Sequence, residues 1–322
     1  MNAHLLLQNE VLIALFSQTL LLLLAIIAMI GTIKILKNWD FTSTSPKQYR
    51  LEKLSYLIVL IITVLLIADI FLLPYFAYTL DSLASIVPGA MCGAGVIAAN
   101  DFGNPLLVLK IFTLFLVGIW LVINHEDLKA KNYPYTRKKF WLYLLIFIFI
   151  SSSYTLEISY FTHISLDRPV SCCSVIFGLS GTNSLPFGLS TLLIVILFYL
   201  FFLLNILFIW QRQAYALALS SVVFLFVGYY AITHFFGTYV YQLPTHICPF
   251  CMLQSDYYYI GYLLWGLLFV SVFFGIINGA LKLLIHKEIT RYYRYAFISL
   301  CTLIMITGGY VLVYLLRNGV WL

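Results

Sequence analysis

Eight apolar stretches divide the chain: roughly 11–33, 54–78, 105–124, 140–161, 187–210, 214–236, 256–281 and 293–316. Each is long enough, at about 1.5 Å per helical residue, to cross a hydrocarbon core of roughly 30 Å. Short polar segments separate them, and none has the length or composition of a soluble domain. The pattern predicts an all-α polytopic membrane protein with about eight transmembrane helices in one membrane domain over residues 1–322. The first stretch follows Glu10 rather than a basic segment and is too long for a signal-peptide core, so it is expected to stay as span one.

Composition agrees. Of the 322 residues 63% are hydrophobic and 9% charged, with a mean hydropathy of +1.00, well outside soluble-domain usage. The net charge of +6 does not point to nucleic acid, because the basic residues are confined to short loops. All but three of the 18 Lys and Arg fall in alternate loops: 34–53, 125–139, the Arg212 turn and 282–294. The exceptions are Lys110, Arg168 and Arg317. By the positive-inside rule those loops are cytoplasmic and both termini lie outside. Trp39, Trp120, Trp141 and Trp210 fall at the same face, as an aromatic belt would. This layout predicts an integral protein of a bacterial inner (plasma) membrane. It also admits a parallel 4+4 repeat, with halves 1–185 and 186–322.

Five of the six cysteines collect in the loops assigned to the other face, the periplasm or its equivalent. Cys92 lies in a Gly-rich loop, Cys172 and Cys173 are adjacent, and Cys248-Pro249-Phe250-Cys251 precedes span seven. Cys301, inside span eight, reads as an inert small hydrophobe. An odd number of thiols cannot all pair internally, which argues against a purely structural set. Pro is favoured in the first turn of a helix, so Cys248 is expected near the N-cap of span seven with Cys251 one turn along. There the helix dipole would stabilise a thiolate. Cys248 would attack or be attacked, and Cys251 would resolve the mixed disulfide.

The Cys-Pro-Phe-Cys run at the outer end of a transmembrane helix resembles the membrane thiol oxidases of the DsbB and vitamin K epoxide reductase type. The resemblance covers about 20 residues. It implies a thiol–disulfide oxidoreductase in which Cys248 and Cys251 are catalytic and exchange with a periplasmic thiol protein, with a quinone as electron acceptor. Cys92, Cys172 and Cys173 would relay electrons. Gln254 and the Tyr257-Tyr258-Tyr259 run stand where the quinone would lie. Those families have four or five spans rather than eight, and they carry a spaced second cysteine pair.

The same residues support a second chemistry. Soft ions such as Cu(I) favour thiolate and thioether ligands. Cys92, Cys172, Cys173, Cys248 and Cys251, with His246 as the best imidazole, could bind copper, deliver it to a copper protein or move it across the membrane. Met91, Met252 and His163 are weaker candidates, and His234 reads as an interfacial residue. A third reading is a scaffold subunit of a membrane complex. Charged residues inside spans are costly and face a bundle interior or a wet cavity. Asp69 and Lys110 fall at similar depth and are expected to pair, either for packing or for proton transfer.

Overall fold

The computed structural model describes residues 3–40, 45–130, 133–167, 169–170, 185 and 188–322, which include no strand. Eight helices among them are long and apolar enough to cross a membrane. They are α1 (Asn9–Asn38), α2 (Pro46–Ser82), α3 (Gly103–Lys129), α4 (Thr136–Thr162), α5 (Thr191–Trp210), α6 (Ala214–Ala231), α7 (Ile260–Ile285) and α8 (Thr290–Asn318). Helix α6 continues through a wider turn at Ile232–Phe236 and ends with Gly237–Tyr241.

The helices run past the apolar stretches because their polar ends carry helix signals of their own. Helix α2 starts well before residue 54: Pro46 occupies the first turn, and the Ser45 hydroxyl accepts from the Gln48 amide. Both satisfy the start of a helix without hydrophobicity. Ser190 caps α5 in the same way through the Leu193 amide.

The chain forms two compact units. One comprises Met1–Pro88 and Val96–Pro169; the other comprises Gly89–Gly95 and Val170–Leu322. In the first unit, Ile58, Ile62, Leu65, Val117, Trp120, Phe140 and Tyr143 form the buried core of α1–α4. Several polar groups inside it are matched, as hydrocarbon surroundings demand. The Tyr143 hydroxyl donates to the Ala25 carbonyl at 2.9 Å, and Trp120 Nε1 donates to the Lys139 carbonyl at 2.8 Å. Lys139 in turn meets Asp127 at 2.7 Å.

Lys110 has a different direct partner from the one expected. Its Nζ donates to Glu157 Oε2 at 2.8 Å, both side chains being buried. Helices α3 and α4 are sequential antiparallel neighbours and pack face to face. Depth along a span, the basis of the Asp69–Lys110 expectation, does not fix which helix face a residue occupies. Asp69 instead shares a small cavity with Lys110.

In the second unit α6 and α7 approach almost to backbone contact. A Cβ on Gly275 would stand 1.8 Å from Ser221 Oγ, and one on Gly279 2.6 Å from the Ala218 Cβ. Small residues at such crossings let membrane helices gain contact where no hydrophobic drive exists between them. This pairing fixes the frame on which the loop between α6 and α7 is built.

Candidate functional site

The loop between α6 and α7 is irregular for identifiable reasons. Gln242 takes a left-handed conformation (φ 55°) that stops the helical segment Gly237–Tyr241. Pro244 and Pro249 then keep the chain from re-entering a helix. Single 3₁₀ turns follow at Cys251–Leu253 and Ser255–Tyr257. Tyr258 and Tyr259, both left-handed (φ 53° and 56°), delay α7 until Ile260. The sequence expectation that Cys248 caps span seven is therefore corrected. Cys248 precedes the helix by 12 residues, and two consecutive left-handed tyrosines stand between motif and helix. The α7 dipole, which acts over about one turn, is not what stabilises its thiolate.

The loop is instead anchored by Met252, which is fully buried. Its side chain lies against two glycines: a Cβ on Gly261 would come 2.5 Å from Met252 Cγ, and one on Gly237 3.3 Å from Met252 Cε. Met252 thus packs the loop onto both glycines. The Tyr241 hydroxyl donates to the Cys248 carbonyl and accepts from the Met252 amide at 3.0 Å. Trp265 Nε1 donates to the Pro249 carbonyl at 3.1 Å. Gln254 Nε2 reaches the Met91 carbonyl at 3.4 Å, tying in the segment that carries Cys92.

These clamps bring three sulfurs together. Cys92 Sγ and Cys248 Sγ are 3.4 Å apart, and the sulfurs of Cys92, Cys248 and Cys251 all lie within 4.8 Å of one another. Cys92 and Cys251 are buried, whereas Cys248 is partly exposed. The Cys251 thiol, and after it the Cys92 thiol, donates to Cys248; so do the backbone N–H groups of Cys251 and Phe250. Together these outweigh burial and hold Cys248 well below the usual thiol range. Donating to Cys248, to Cys92 and being buried all push the Cys251 thiol up. The triad is therefore asymmetric: the Cys248 thiol is lowered and the Cys251 thiol beside it is raised.

The other sequence candidates fall as follows. His246 is buried and stacked on Tyr241, with ring centroids 4.0 Å apart. Burial lowers its pKa, so it is neutral near pH 7 and supplies no positive charge to Cys248. It is not among the residues grouped within 4.8 Å. Tyr257 packs edge-on against Tyr241 at 4.8 Å, while Tyr258 is 92% exposed. Met91 points to the surface. His163 bonds the Ser159 carbonyl at the end of its own helix, and His234 packs on Tyr230 within α6's wider turn. Cys172 and Cys173 lie outside the described residues. Sequence reasoning missed Tyr241, Trp265 and Tyr229, whose ring packs on Trp265 at 5.6 Å and whose hydroxyl is in electrostatic reach of Cys248. Trp265 had a signal: it is a tryptophan that falls outside the belt formed by Trp39, Trp120, Trp141 and Trp210.

The geometry yields a first expectation. Alkylation of Cys248 should be nearly independent of pH around neutrality, since its thiolate persists there. Cys92→Ala removes one S–H donor to that thiolate. A hydrogen bond to a charged group contributes about 1.5–3 kcal/mol, so the midpoint of the alkylation profile should rise by about 1–2 pH units. Peptide-resolved labelling rates against pH measure it.

Fold and site together define a polytopic α-helical membrane protein with a clustered cysteine triad. No family model, curated protein or solved structure matches the chain.

Proposed function

We propose that the chain is a membrane thiol–disulfide oxidoreductase, of the general kind that DsbB and vitamin K epoxide reductase represent. The observation that carries this reading is the asymmetry of the triad. Cys248, on the least buried of the three residues, is the thiol held low, and the buried Cys251 beside it is the one pushed up. An attacking and a resolving thiol need this division.

In the oxidised form Cys248 and Cys251 are bridged. A thiolate of a partner protein attacks Cys248 Sγ, breaking the bridge and releasing Cys251 as the thiol. The partner's second thiolate then attacks its own sulfur in the mixed disulfide and releases Cys248. The partner leaves as a disulfide, and the pair is left as a dithiol. A quinone takes the two electrons and two protons, becomes a quinol and restores the bridge. Cys92 would form an alternative bridge, Cys92–Cys248, and so relay electrons; the 3.4 Å between the two sulfurs supports this. Cys172 and Cys173 belong to the same proposed relay. Gln254, Tyr257 and the exposed Tyr258 beside the motif are the surface against which the quinone would lie. The distribution of Lys and Arg supports a periplasmic orientation for the site and a periplasmic thiol protein as partner.

The assay uses the full chain in lipid nanodiscs with a short-chain quinone and a dithiol peptide. One quinol should form for each peptide disulfide. Absence of quinol formation with fully reducible thiols would overturn the quinone-coupled reading.

A second reading has its own observation. Around a metal with M–S bonds of about 2.3 Å, tetrahedral sulfurs stand about 3.8 Å apart, and the triad's spacing suits this. Three thiolates around Cu(I) would make a copper-handling protein, for delivery or transport. That requires all three thiols reduced at once, whereas the redox cycle requires a disulfide.

A further inference from the structure

The first unit carries a polar cluster that the thiol chemistry does not use. It is assembled from four spans. Helix α1 supplies Gln18 and α2 supplies Asp69, whose side chains lie close to one another. Helix α3 supplies Lys110 and Thr113; α4 supplies Ser153 and Glu157. Gln18, Lys110, Thr113, Ser153 and Glu157 are all buried, and Asp69 is half-buried. Asp69, Lys110, Thr113 and Ser153 line one cavity of about 10 Å³, close to the space one water needs.

Two features of this cluster call for a ligand. Ser153 Oγ, on a residue only 3% exposed, has no hydrogen-bond partner and lines the cavity. A buried hydroxyl is normally matched. The charges are also unbalanced. Asp69 and Glu157 are two carboxyls facing one ammonium, Lys110, and Gln18 adds no charge. Lys110 Nζ is committed to Glu157 at 2.8 Å. If both carboxyls were ionised, the spans would hold a net negative charge where uncompensated charge is costly.

One additional positive charge removes the imbalance. A metal ion is disfavoured, because the cavity is water-sized and the Lys110 ammonium already lines it. A proton needs no coordination shell. We propose that this cluster is an intramembrane proton-binding site. The Asp69–Glu157 pair holds one proton, carried on Asp69, while Glu157 stays ionised against Lys110. A water in the cavity, accepting from or donating to Ser153, connects Asp69 to exchange. Uptake and release then interconvert the Asp69 carboxylate and carboxylic acid without breaking the Lys110–Glu157 pair.

Infrared spectroscopy of the full chain in nanodiscs tests this directly. Wild type should show the C=O stretch of a protonated carboxyl at neutral pH, shifted down in D₂O. Asp69→Asn should lose that band. Glu157→Gln should lose it too, because Asp69 would then ionise against Lys110. Lys110→Met should double it, because both carboxyls would then be protonated. Ser153→Ala, which deletes only a hydroxyl, should keep the band and move its frequency. No band in wild type, a band that survives Asp69→Asn, or a band insensitive to D₂O would each overturn the proposal. None of these readouts depends on the cysteines, so the site stands or falls independently of the thiol reading.

Discussion

Cys251→Ser is expected to trap the chain on its partner, and Cys248→Ser to capture nothing at that position. The two substitutions are chemically the same, so only the geometry separates them. Cys248 is the partly exposed residue of the triad and its thiol is the one held low. With Cys251 replaced, the mixed disulfide formed when Cys248 attacks an oxidised partner, the reverse of the cycle above, lacks its resolving thiol. It should then persist for minutes to hours, about the lifetime of uncatalysed disulfide rearrangement. With Cys248 replaced, Cys251 is buried and protonated. Exchange should fall to background, because the thiolate is the nucleophile. Non-reducing gels after acid quenching, with the trapped cysteine mapped by peptide mass, give the readout. Cys92 adds a control: in Cys251→Ser it could resolve the complex slowly through Sγ, so Cys92→Ala with Cys251→Ser should trap more. Equal trapping by both single variants would contradict the assignment of attacker and resolver.

Gly261→Ala should disorganise the same site without touching a sulfur. The added methyl would meet Met252 Cγ at 2.5 Å, Leu253 Cδ2 at 2.8 Å and the Met252 backbone carbon at 2.8 Å. Backbone cannot give way as a flexible side-chain tip can, so the turn carrying Cys251 must move off α7. Overpacking of this kind costs about 1–3 kcal/mol. The Cys251 and Cys92 thiols should then cease to donate to Cys248, and Cys248 alkylation should regain the pH dependence of an ordinary thiol. Gly266→Ala on the same helix is the control. Nothing lies within 4 Å of its Cβ position, so it should be neutral or stabilising by about 0.5–1 kcal/mol, the usual gain of Gly to Ala in a helix. Thermal unfolding in detergent and labelling rates measure both. If the two alanines behave alike, Met252 is not the anchor of the loop.

The membrane architecture was legible in the sequence because each span is a long apolar run, and lipid demands such runs whatever the packing. That Cys248 and Cys251 stand together was legible from spacing alone. Their local structure was not. The motif reads as a helix start, yet left-handed Tyr258 and Tyr259 hold α7 off, and nothing in a tyrosine run signals that conformation. Convergence of Cys92 with the pair depends on long-range placement of the Gly89–Gly95 segment, which Gln254 helps fix through the Met91 carbonyl. Tyr241 and Trp265 looked like ordinary aromatic residues of membrane spans; their polar atoms bond loop carbonyls that only the fold brings near. The pairing of Lys110 with Glu157 was missed for a related reason. Depth in the membrane follows from position in a run, but the face of the helix is decided by its neighbours.

Cycling of the triad between a dithiol and a disulfide would be seen in an intact mass spectrum of the chain, purified anaerobically without reductant and treated with a thiol label. The expected result is a Cys248–Cys251 disulfide that opens at mild reducing potential, takes up label at both cysteines, and reforms on addition of quinone. Reduced cysteines that resist label, carry the mass of copper and become reactive only after chelation would contradict it.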